Sequence, residues 1–89
     1  MAMLEYGPTY ELTKSVITSK LNSAGDLEDD TDPTLPVGTR FTVHDRNKWD
    51  PYSANDRYFY VIRVKNASGE YSEYKVLAHR LEQDSQKLE

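Results

Sequence analysis

A mainly β domain is the fold class this sequence predicts: a small antiparallel sheet or barrel of roughly four to five strands. Three observations point there. Tyr58, Tyr60, Ile62 and Val64 alternate along one run, with the period of two that a half-buried strand requires. Asn66-Ala67-Ser68-Gly69 follows, with Asn at the first position of a type I turn and Gly at its left-handed position. A second alternating run lies upstream, from Leu35 to His44. At 89 residues without cysteine, the chain is one domain's length and has no disulfide to replace a core.

The N-terminal stretch, residues 9–21, reads two ways. As a strand, Tyr10, Leu12 and Val16 alternate with Glu11, Thr13 and Ser15, and Lys14 is the misfit. As a short helix giving an α+β fold, Tyr10, Ile17, Leu21 and Ala24 share a face and Gly25 ends it. Residues 22–36 carry breakers and no periodicity, which predicts a flexible acidic loop. In the next strand Val37, Thr39, Phe41 and Val43 share one face, and Arg40, Thr42 and His44 the other. Residues 45–56 are polar and hold Trp49, Pro51 and Tyr52, so a long loop is expected.

The hairpin over residues 57–81 makes a register prediction. If Asn66 pairs with Glu70, then Ile62 faces Tyr74, Tyr60 faces Val76 and Tyr58 faces Ala78 on one apolar side. Arg63 meets Glu73 on the other. A slip of one residue would mix the two sides. Residues 83–89 hold no apolar residue before Leu88, so a disordered tail is expected after a single domain over 1–82. The last two, Leu88-Glu89, match what a cloning site leaves behind.

Strand, long aromatic loop and tight hairpin, from the Pro36-Val37-Gly38-Thr39 opening to Leu81, resemble the topology of small SH3-like barrels. That resemblance implies a binding module. Net charge is −4, but residues 1–36 hold Glu5, Glu11, Asp26, Glu28, Asp29, Asp30 and Asp32 against Lys14 and Lys20 alone. No apolar stretch approaches the roughly 18 residues of a membrane helix. Together with the lack of cysteine and of a signal-peptide pattern, this suggests a soluble, cytoplasmic protein without a membrane partner.

Catalysis finds no support in the sequence. There is no cysteine nucleophile, glycine-rich phosphate loop or metal-ligand spacing. His44 and Asp45, as strand neighbours, should point to opposite faces and form no dyad. Asp26, Glu28 and Asp30 copy the opening of a calcium loop, which then fails at Thr31 and Val37. No cofactor and no metal is expected. The first functional expectation is therefore a non-catalytic protein-interaction domain, adaptor or inhibitor. Trp49 and Tyr52 would be its anchors, with Asp29 and Asp30 supplying charge complementarity. The alternative is single-stranded nucleic-acid binding by Arg57, Phe59, Arg63, Lys65 and Lys75 on the outward hairpin face. A third is an acidic decoy for a DNA-binding protein, built on Asp29 and Asp30.

Overall fold

A computed structural model describes residues 3–21, 33–48 and 58–88. The fold is mainly β. A six-stranded antiparallel sheet is built from β1 (Thr9–Leu12), β3 (Ser19–Leu21), β5 (Arg40–Lys48), β6 (Tyr58–Lys65), β7 (Tyr71–Leu77) and β8 (Ser85–Lys87). Their order across the sheet is β3-β7-β6-β5-β1-β8. A second ladder pairs β2 (Val16–Ile17) with β4 (Thr34–Leu35). One short helix, α1 (Ala78–Gln83), follows β7 directly. The large sheet ends at β3 on one side and β8 on the other, so it is an open sheet and not a closed barrel.

The hairpin has the register that its turn and its apolar face require. Ile62 lies opposite Tyr74, Tyr60 opposite Val76 and Arg63 opposite Glu73. The turn is held by Asn66, whose N–H donates to Glu70 O and whose side-chain carbonyl accepts from Ser68 N and Glu70 N. Gly69 takes a φ of +89° there, a conformation that side chains with a Cβ rarely adopt. The expected Tyr58–Ala78 pair is replaced. The chain leaves the sheet at Leu77, and Ala78 and Leu81 instead turn into the core from α1. A strand through Leu81 would have left that apolar face without a cover on this side.

The 9–21 stretch is strand, not helix. Tyr10 and Leu12 are buried in β1, the chain bends at Thr13-Lys14, and Val16 is buried again in β2. Lys14 misfits the alternation because it sits on that bend. Other boundaries also move. Pro36 to Thr39 is a turn closed by Thr39 N and Oγ, both donating to Pro36 O. Val37 therefore stands 63% exposed and does not join the face of Phe41 and Val43. Residues 45–48, expected in the long loop, continue β5 past a bulge between Val43 and Asp45. Residues 34–35, expected in the acidic loop, form β4.

Where a frayed tail was expected, residues 85–87 form an edge strand on β1. The cause lies in the backbone and not in apolar content. Thr13 N donates to Asp84 O at 2.8 Å, and Leu88 N donates to Thr9 O at 2.9 Å. Ser85 Oγ donates to Leu81 O. The first two satisfy backbone groups at the two ends of β1 that would otherwise need water, and the third satisfies a carbonyl of α1.

The core lies on one side of the large sheet. Tyr10, Leu12, Phe41, Val43, Tyr60, Ile62 and Val76 come from the sheet, while Val16, Leu35, Ala78 and Leu81 close over them. Tyr10 and Phe41, directly opposed, stack with centroids 5.7 Å apart. Among the described residues, no helix is long and apolar enough to cross a membrane.

Candidate functional site

Strand pairing fixes what stands on the other side of the sheet, because directly opposed residues share a face. One row across it is Thr9, Thr42, Arg63, Glu73 and Leu21. The next is Asp45, Val61, Lys75 and Ser19. A third is Asn47, Phe59 and Leu77. Phe59, Val61 and Leu77 are half-buried and stand outside the core cluster. Leu21 lies beside Glu73 in the same plane and does not cover them, and Tyr10 and Leu12 are committed to the core. The helix packs on β6 and β7 from the core side.

Charges of both signs surround this apolar centre. Arg63 Nε bonds Glu73 Oε2 at 2.9 Å, with His44 Nε2 3.7 Å from the same oxygen. The Lys75 ammonium sits 4.3 Å from the Phe59 ring centroid. The bulge puts His44 and Asp45 on the same face, contrary to the alternation expected of strand neighbours: Asp45 opposes Val61 while Val43 and Arg46 both face inward. The Asp45 carboxylate is used locally, accepting from Arg46 N and Asn47 Nδ2. The pair therefore gives no hydrogen-bonded dyad despite sharing a face.

On the core side, Arg46 lies over the Tyr58 ring at 4.1 Å and near Tyr60. Among the described residues, its Nε is buried without a hydrogen-bond partner. Burial, and then the bond to Glu82, push the Tyr60 phenol above its ordinary value, only partly opposed by Leu4 N and Arg46. Among the described residues, no three of His, Asp and Glu are grouped to hold a metal ion.

Of the residues singled out from sequence, Phe59, Arg63, Lys65 and Lys75 belong to β6 and β7 and share the outward face. Trp49, Tyr52, Asp29, Asp30 and Arg57 lie outside the described residues. Arg40 and Tyr71 were missed. Both line a cleft with Arg63 and Lys65, and extending the hairpin register by one pair would have placed Tyr71 opposite Lys65.

No protein-family model, curated protein or solved structure matches the chain.

Proposed function

We propose that the chain is a non-catalytic protein-interaction domain whose contact surface is the outward face of the sheet. One observation carries the reading: Phe59, Val61 and Leu77 form an apolar centre bordered by Arg63, Glu73, Lys75 and Asp45. An apolar centre with a polar rim of mixed sign is the anatomy of a protein interface. Trp49 and Tyr52 belong to the segment 49–57 that joins β5 to β6 in sequence, and the reading keeps them as its aromatic anchors. The mixed charge counts against reading this centre as a track for a phosphate backbone. Glu73 places a negative charge 2.9 Å from Arg63 on this face, and Lys75 lies over the Phe59 ring.

The test is capture of a protein partner from a lysate of the source cells, with and without nuclease. Wild-type protein should retain a discrete partner after nuclease treatment, whereas Val61→Gln and Trp49→Ala should lose it while unfolding at nearly the wild-type temperature. Capture that vanishes with nuclease, or that both variants keep, contradicts the proposal.

A further inference from the structure

The sheet splits at one end of the outward face. β5 and β6 are laddered from Lys48↔Tyr58 as far as Thr42↔Arg63. Beyond that pair, Arg40 and Phe41 run on with β1, while Val64 and Lys65 run on with β7. A cleft of about 560 Å³ opens there, within the size range of small-ligand sites. Phe41 and Val64 contribute its apolar lining, and Arg40, Arg63, Lys65 and Tyr71 its polar and aromatic lining.

Three cationic residues line this cleft, in a chain whose net charge is −4. Arg40 Nε contacts Glu11 at 3.4 Å and Arg63 Nε contacts Glu73 at 2.9 Å, yet their side chains stay 70% and 45% exposed. A guanidinium carries five N–H donors, so each retains donors after meeting one carboxylate. Lys65 is exposed, and the Tyr71 ring directly opposite it is 61% exposed. An exposed ring beside cations is a platform for stacking a planar base while the cations take its phosphate.

We propose that this cleft binds a nucleoside phosphate, whether free or as a nucleotide of a single strand. A simple carboxylate would leave the ring unused. The site shares Arg63 with the rim of the proposed protein-contact surface but uses none of Phe59, Val61 and Leu77, so Val61→Gln separates the two readings.

The experiment is amide chemical-shift mapping by NMR on the whole chain at about 50 mM salt, where phosphate contacts are strong. Four probes are titrated separately: adenosine monophosphate, a short oligothymidylate, inorganic phosphate and O-phosphotyrosine. Shifts should concentrate at Arg40, Arg63, Lys65 and Tyr71, with the nucleotide or the oligonucleotide binding more tightly than inorganic phosphate. Tyr71→Ala should weaken binding roughly 5-fold or more, the loss of one stacked base. Lys65→Glu should weaken it further, and Val61→Gln should leave it unchanged. A tighter oligonucleotide identifies a strand as the source; an equal mononucleotide identifies a free ligand. The proposal is overturned if no probe shifts these amides at millimolar concentration, if inorganic phosphate matches the nucleotide and Tyr71→Ala has no effect, or if O-phosphotyrosine binds most tightly.

Discussion

The Tyr60 hydroxyl donates to Glu82 Oε2 and accepts from Leu4 N at 3.0 Å. One buried oxygen thereby ties the centre of the sheet to α1 and to the N-terminal segment. Tyr60→Phe keeps the ring but strands both partners, and should cost about 1–3 kcal/mol in urea unfolding. The pH dependence follows from the raised phenol pKa, which reflects burial first and Glu82 second. The folded state then holds this proton more tightly than the unfolded state. Its contribution is complete below the ordinary value of 10.0 and is lost as pH rises through that value toward the folded one. The alkaline fall in stability should be shallower in Tyr60→Phe; identical curves would remove Tyr60 from the account.

Gly69→Ala isolates backbone conformation. The nearest atom to an added Cβ is Lys65 Cε at 3.8 Å, an ordinary contact, so any loss comes from the φ of +89°. The cost should exceed about 1 kcal/mol. Unchanged stability would mean that Gly69 does not hold a left-handed conformation.

Deleting residues 84–89 removes β8 together with the Asp84 acceptor of Thr13 N. The loss should be at least about 1 kcal/mol, or ~4–8 °C in melting temperature for a domain of this size. Amides of Thr9 to Thr13 should also exchange faster. A truncated chain that melts like the whole one would restore the frayed tail.

Sequence made the centre of the fold legible where two signals agreed. Turn chemistry at Asn66–Gly69 and the alternation of Tyr58 to Val64 select the same register, and Ile62 does face Tyr74. It failed where structure depends on distant backbone groups. Residues 85–87 have no apolar pattern; their strand exists because β1 has an edge to satisfy. The switch from β7 to α1 has no side-chain cap to announce it. The bulge at His44 hid the shared face of His44 and Asp45, since alternation assumes an unbroken ladder. Of the candidate site, Phe59, Arg63, Lys65 and Lys75 were visible from strand phase alone. The cleft between Arg40 and Lys65 was not, because it arises where two ladders part.

One face of this sheet packs into the core, the other is proposed to take a partner, and adjacent residues of β6 test that division. Ile62 is fully buried, while Val61 stands on the outward side between Asp45 and Lys75. Thermal and urea unfolding of Ile62→Gln and Val61→Gln should diverge. The account expects Ile62→Gln to lose more than about 3 kcal/mol, from lost burial and an unsatisfied amide, and Val61→Gln to lose no more than ~1 kcal/mol. Equal, severe destabilisation by both would show that the outward face is core as well, and would contradict its assignment as a binding surface.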